Sequence, residues 1–134
     1  MPGYSGTPLP KKLGLKDGFH VRLIEAPSEV VAELKPSLEK CALSRNPKTP
    51  LDFAMLFTKS TATLKKEFPQ IGKNLAPAGM LWISWPKKTS GVPTDLNENI
   101  VREIGLDAGL VDVKVCAVTD VWSGLKFVRR LKDR

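Results

Sequence analysis

Three stretches of this 134-residue chain put ammonium or hydroxyl groups directly after an apolar run. Thr58-Lys59-Ser60 follows LDFAMLF, Trp85-Pro86-Lys87-Lys88-Thr89-Ser90-Gly91 closes MLWISW, and Ala26-Pro27-Ser28 comes after FHVRLI. Lysine is a compact point charge with three donors, and serine adds a hydroxyl, so these groups suit phosphate or carboxylate. Gly91 would let backbone approach a ligand closely, and Trp85 would offer a stacking face to a planar group. The candidate ligand-binding set is therefore Ser28, Lys59, Ser60, Trp85, Lys87, Lys88, Ser90 and Gly91. The same residues also read as plain structure: serines as helix caps, lysines as a solvated loop and Trp85 as core.

Other chemistry is sparse. A phosphate-binding loop is missing, because Gly72-Lys73 is followed by Asn74 and lacks its upstream glycine. His20, the single histidine, falls in the middle of a strand pattern, where a half-exposed packing role is the ordinary one. Cys116 lies in another strand and behaves as a small hydrophobe, although Lys114 shares its face and would favour a thiolate. Asp52 interrupts an apolar strand near its start, close to water. No catalytic residue, metal ligand set or cofactor is expected. With only Cys41 and Cys116, a disulfide framework and a cysteine zinc site are excluded, and a reducing cytosol is the expected setting.

The elements that must position the candidate site can be read from periodicity. Residues 1–18, rich in Gly, Pro and Lys, read as an extended arm preceding one domain over 19–134. Residues 19–24 alternate apolar and polar side chains, as a half-wet strand does. Ser28 is a suitable N-cap for a helix with Val30, Val31 and Leu34 on one face, which Pro36 interrupts. Residues 44–50 read as a loop. Residues 51–57 and 80–85 are uniformly apolar, the pattern of strands covered on both faces. Between them Leu64, Phe68, Ile71 and Leu75 follow helical spacing, with Pro69 as a kink or break and residues 76–79 as the stop. Thr94 caps a third helix carrying Leu96, Ile100, Val101 and Ile104, which ends near Gly105 or Gly109. Residues 111–118 and 124–131 are strands joined by a short turn, with Trp122 at its corner.

Alternation of strands and helices implies a parallel sheet, and a short final connection implies antiparallel return. The expected fold is α/β: a small Rossmann-like three-layer domain with a mostly parallel sheet of about five strands, ending in an antiparallel pair. In such sheets ligands bind beyond the carboxyl ends of the strands, where the strand order reverses. All three candidate stretches fall at such ends.

Net charge is +7, and residues 92–121 carry six acidic against two basic groups, so the positive surplus lies elsewhere. That favours an anionic partner. Lys11, Lys12 and Lys16 with Lys126, Arg129, Arg130, Lys132 and Arg134 would serve an alternative role, a protein or nucleic-acid interaction module. The aromatics sit in apolar strands and offer no stacking platform for that role. No apolar run reaches the ~20 residues of a membrane span. No repeat or heptad seam is present.

The pattern from LDFAMLF through PAGMLWISWPKK to GLVDVKVCAV and WSGLKFVRRL resembles the distal half of class I S-adenosylmethionine-dependent methyltransferases. More closely, YSGTPLPKKLG (4–14), WPKKTSGVPTDL (85–96), KVCAV (114–118) and WSGLKFV (122–128) resemble a family of small bacterial proteins of unknown function, over essentially the whole chain. The methyltransferase resemblance implies the fold, but the turn that should hold the cofactor reads Glu25-Ala26-Pro27-Ser28-Glu29, without glycine. The stretch between Ser28 and Leu51 is also too short for two further strand–helix units. A truncated cofactor half follows. The expectation is a non-catalytic domain binding a small anionic, nucleotide-like ligand, with a degenerate methyltransferase-like enzyme as a further alternative.

Overall fold

A computed structural model describes residues 7–46 and 48–134. The expected arm differs over its described part, residues 7–18, since residues 1–6 lie outside the described set. There the chain forms α1 (Leu9–Leu13), closed by Gly14 in the left-handed region at φ 84°. Leu9, Leu13 and Leu15 are buried, and the Trp82 indole donates to the Leu13 carbonyl at 2.8 Å. Three leucines on a short segment therefore dock it onto the sheet, which composition alone does not reveal.

The remaining elements run β1 (His20–Ile24), α2 (Ser28–Leu38), β2 (Ala42–Leu43), β3 (Leu51–Phe57), α3 (Thr61–Lys73), β4 (Leu75–Pro86), α4 (Glu98–Asp107), β5 (Leu110–Ala117) and β6 (Trp122–Arg129). They build one six-stranded sheet in the order β2-β1-β3-β4-β6-β5, in which only β6 runs against the others. The α/β class, the mostly parallel sheet and the closing antiparallel pair agree with expectation. The strand beyond the expected five is β2, two residues long and too brief for a periodicity to show.

Helices cover both faces. On one, α1 and α2 pack Leu9, Leu13, Val30 and Leu34 over Val21, Phe53, Met55 and Trp82. On the other, α3 and α4 pack Leu64, Phe68, Val101 and Ile104 over Leu56, Leu81, Ile83 and Phe127. The central strands β3 and β4 contribute to both layers, hence their unbroken apolar sequences.

Both prolines expected to break helices lie inside them. Pro36 and Pro69 are exposed, as are Ala32 and Lys65, whose carbonyls lose a donor. Water can satisfy those carbonyls while the buried stripe keeps each helix on course. Residues 76–79 lie within β4 as a bulge: Leu51 pairs with Leu75 and Phe53 with Met80. A Cβ at Gly79 would collide with the Leu51 carbonyl, so only glycine closes the bulge. Two caps also differ. Pro27, not Ser28, precedes α2, and Asn97 caps α4 by accepting from the Ile100 N–H at 2.9 Å. Among the described residues no helix is long and apolar enough to cross a membrane.

Candidate functional site

The chain leaves β1 through α2 towards β2 at one edge, then returns past β1 to β3. Strand order therefore reverses between β1 and β3, and the carboxyl ends of these two strands are the crevice of the sheet. A cleft of about 720 Å³ opens there. Arg22, Ile24 and Glu25 line it from β1 and its end, Leu56 to Ser60 from β3 and the following turn, Thr63 and Glu67 from α3, and Trp122 from β6.

Local sequence explains the rim. Thr58 is buried; its Oγ1 accepts from the Ser60 N–H at 3.2 Å, and its own N–H donates to the Ser84 carbonyl at 3.0 Å. Ser60 then caps α3, its Oγ accepting from the Thr63 N–H at 3.2 Å. Asp95 reaches the same helix start, accepting from the Thr61 N–H at 2.7 Å and the Thr61 hydroxyl at 3.0 Å. These two bonds hold the Asp95 carboxyl below the ordinary carboxylate range. The start of α3 thus already carries a carboxylate. The Thr94 hydroxyl and the Asp95 N–H both donate to the Lys59 carbonyl, at 2.7 and 3.3 Å, which fixes the turn. Trp122 stands edge-on to Phe57 with ring centroids 5.3 Å apart.

Two cations, Arg22 and Lys59, enter the cleft without an ion pair among the described residues. Two carboxylates, Glu25 and Glu67, line it as well. Such a lining suits a ligand that carries an anionic group and also hydrogen-bond donors.

Of the eight residues singled out from sequence, Lys59 and Ser60 line this cleft and the other six do not. Trp85 is 5% exposed in the core beneath α3 and α4, and so offers no stacking face. The Ser90 hydroxyl donates to the Lys87 carbonyl at 2.7 Å and accepts from the Val92 N–H at 3.2 Å, closing a local turn that Gly91 completes at φ 77°. Lys87 and Lys88 flank that turn, beyond the end of β4, and Ser28 is the exposed first residue of α2. Arg22, Thr63, Glu67 and Trp122 join the cleft instead. Thr63 and Glu67 are four apart on one helix face, and Arg22 lies on the wet side of an alternating strand, so each carried a weak signal.

A smaller cleft of about 410 Å³ lies at the other side of β1, lined by Leu23, Val31, Leu38, Leu43, Ser44 and Arg45 among others. Nucleotide-binding sheets place an acidic side chain at the end of the second strand for ribose hydroxyls. Here that position holds Ser44 and Arg45. The turn after β1 differs too: Glu25 adopts φ 59°, a left-handed conformation ordinarily left to glycine, followed by Ala26 and Pro27. A side chain therefore stands where a cofactor-binding turn has glycine. These residues do not fit S-adenosylmethionine as that cradle would hold it.

The histidine, Asp52 and Cys116 add no catalytic group to this cleft. Asp52 accepts from the His20 N–H at 2.8 Å, with the imidazole Nδ1 3.5 Å away, an arrangement at the start of both strands and away from the cleft. Burial pushes the Cys116 thiol up, outweighing the opposing effect of Lys12 and Lys114, so it is not poised as a thiolate. Among the described residues no group of three or more His, Cys, Asp or Glu could hold a metal ion.

Sheet order, helix placement and the reversed penultimate position of β6 define a Rossmann-like methyltransferase fold. Solved structures agree. The chain is similar to a magnesium protoporphyrin IX methyltransferase from Synechocystis with bound SAH, at TM-score 0.59 and 12% identity, covering 90% of this chain and 78% of that one. It is similar to a SAM-dependent methyltransferase from Aquifex aeolicus at TM-score 0.54 and 17% identity, covering 87% and 85%. A precorrin-6y C5,15-methyltransferase from Geobacter metallireducens aligns at TM-score 0.56 and 9% identity, covering 91% and 86%. No protein-family model and no curated protein matches the chain.

Proposed function

We propose that this protein is a non-catalytic, methyltransferase-like domain that binds a small anionic ligand of nucleotide size in the cleft between the carboxyl ends of β1 and β3. The carrying observation is that an ammonium and a guanidinium residue, Lys59 and Arg22, line a cleft of about 720 Å³ at the switch point without an ion pair among the described residues. Arg22 and Lys59 receive the anionic group. Thr63 adds a hydroxyl, Trp122 an apolar wall, and Glu25 and Glu67 accept from donors such as an exocyclic amine. Lys87 and Lys88 have no part in this site. Both cysteines are free thiols, which supports a cytoplasmic setting.

Adenosine 5′-monophosphate is a suitable probe. We expect it to raise Tm and to bind with one-to-one stoichiometry in calorimetry. Lys59→Ala and Arg22→Ala should each weaken binding about tenfold or more, the loss of one charged hydrogen bond, while a Lys87→Ala/Lys88→Ala double variant binds normally. No stabilisation of the wild type, or undiminished stabilisation of both single variants, removes the cleft as the site.

A second reading, a degenerate methyltransferase-like enzyme, is favoured by the solved structures, among them one magnesium protoporphyrin IX methyltransferase seen with SAH and with SAM. It requires S-adenosylhomocysteine to bind this chain more tightly than adenosine monophosphate. The turn at Glu25 and Pro27 argues for the opposite order.

A further inference from the structure

A second concentration of positive charge lies far from the cleft, where α1 meets β5 and β6. Lys114 and Lys126 are direct cross-strand partners, immediately after the irregularity that breaks the β5–β6 register beyond Asp112. Directly opposed side chains sit about 5 Å apart at Cβ, and like charges in that position are destabilising. Lys114 turns its ammonium onto the C-terminal end of α1, donating to the Lys12 carbonyl at 2.9 Å, where cations are favoured. Lys126 has no such outlet. It makes no hydrogen bond or ion pair among the described residues, and its Nζ lies beneath the left-handed turn at Gly14, 3.7 Å from where a Cβ would stand. Partial burial and the nearby charges of Lys114 and Lys16 all push the Lys126 ammonium down from its ordinary range. Lys11 and Lys16 line a shallow hollow of about 370 Å³ beside the same turn.

Three segments thus bring lysines to one place: the turn after α1 with Lys16, β5 with Lys114 and β6 with Lys126. A half-buried ammonium with unmet donors, facing other ammonium groups, is stabilised by a compact, multiply charged anion. Three donors per ammonium and no planar fork suit tetrahedral oxygens better than a flat carboxylate. An extended polyanion would call for a stripe along one face, whereas these charges converge on Lys126.

We infer that Lys126, with Lys16 and Lys114, forms a second anion site that takes a single phosphoryl or pyrophosphoryl group at the junction of α1, β5 and β6. This site is independent of the cleft between β1 and β3.

Inorganic pyrophosphate tests it on the full chain. Calorimetry at low salt on the Arg22→Ala chain, which weakens the cleft, should still show saturable one-to-one binding, which adding Lys126→Met or Lys16→Met weakens about tenfold or more. Each methionine variant should keep the wild-type circular dichroism spectrum and a cooperative melt, so that lost binding is not lost folding. The Lys126 amine should be acylated faster than surface lysines by a dilute amine-reactive ester, and pyrophosphate should slow that residue selectively, read by peptide mass spectrometry. Binding undiminished in both methionine variants, binding that does not saturate near one equivalent, or uniform lysine labelling overturns the proposal. So does a short oligothymidylate that binds more tightly than pyrophosphate with steep salt dependence, the signature of an extended backbone. Loss of pyrophosphate binding in Arg22→Ala would assign the effect to the other cleft and overturn it equally.

Discussion

The two halves of the sheet have been treated differently. From β3 through β4, β6 and β5, with α3 and α4 above, strands are long and the packing is dense. Phe68 meets Phe127 edge-on at 5.1 Å, and a Cβ at Gly105 would overlap the Phe127 ring. Around β1 and β2 the second strand is two residues long, and among the described residues no helix lies between β2 and β3. Leu43 is 65% exposed, and His20 is exposed as well. The fold's stability and its ligand-binding edge are therefore separable. The half that fills the core is built from long strands, while the half at the strand-order reversal has a two-residue edge strand.

The sharpest way to break this contrast is to cut each half by one side chain. Phe127→Ala should cost about 3–5 kcal/mol, because a fully buried ring with an aromatic partner leaves a cavity. Leu43→Ser in the reduced half should change stability by less than about 0.5 kcal/mol. Urea unfolding of both variants checks this. A large loss at Leu43 would mean that β2 is as tightly built as the distal strands.

Legibility from sequence followed the same division. The distal half is written in strong periodic signals: runs such as LDFAMLF and MLWISW have one structural use, and Leu64, Phe68 and Ile71 mark the buried stripe of α3. The proximal half is written in contacts between segments remote in sequence. Nothing local announces that Leu13 will accept from Trp82, or that two residues at 42–43 will pair with β1. The rim at Lys59 and Ser60 was legible because strand ends are legible, and the serine proved to be both rim and cap. Lys87, Lys88 and Ser90 stand at an equally clear strand end, but β4 lies one strand away from the reversal, and that depends on strand order. Trp85 and Trp122 exchanged roles for the same reason. Which face a tryptophan points to is decided by register with neighbouring strands.

Glu25 sharpens the contrast at the level of backbone. The chain adopts φ between 77° and 90° at Gly14, Gly18, Gly91 and Gly109, where no Cβ resists it. At Glu25 it holds φ 59° with a full side chain, a cost of about 1 kcal/mol. Glu25→Gly should therefore raise stability by up to about 1 kcal/mol, offset in part by the freer unfolded chain, whereas Glu25→Ala should gain nothing. Denaturant midpoints of the two variants test this, and equal shifts would show that the strain lies elsewhere. If Glu25→Gly is stabler yet binds adenosine monophosphate less well, the strained carboxylate belongs to the site as a ligand contact.

The smallest effect concerns a contact within the denser half, beside the cleft. Asp95 joins the segment before α4 to the start of α3, on the rim of the cleft. Bonds from Thr61 lower its pKa from the ordinary 3.8, so its ionised form is favoured in the folded chain. A carboxylate lowered on folding contributes stability that is fully present above 3.8 and is lost as pH falls through the folded value. Asp95→Asn should therefore leave a small deficit in Tm at neutral pH that closes in acid, where the wild type has lost the same charge. A deficit that stays constant down to strongly acidic pH would mean that the bond geometry, not the charge, holds the rim. A closing deficit means that the α3 terminus already has its anion, so that a ligand in the cleft must be held by Arg22 and Lys59 and not by the helix end.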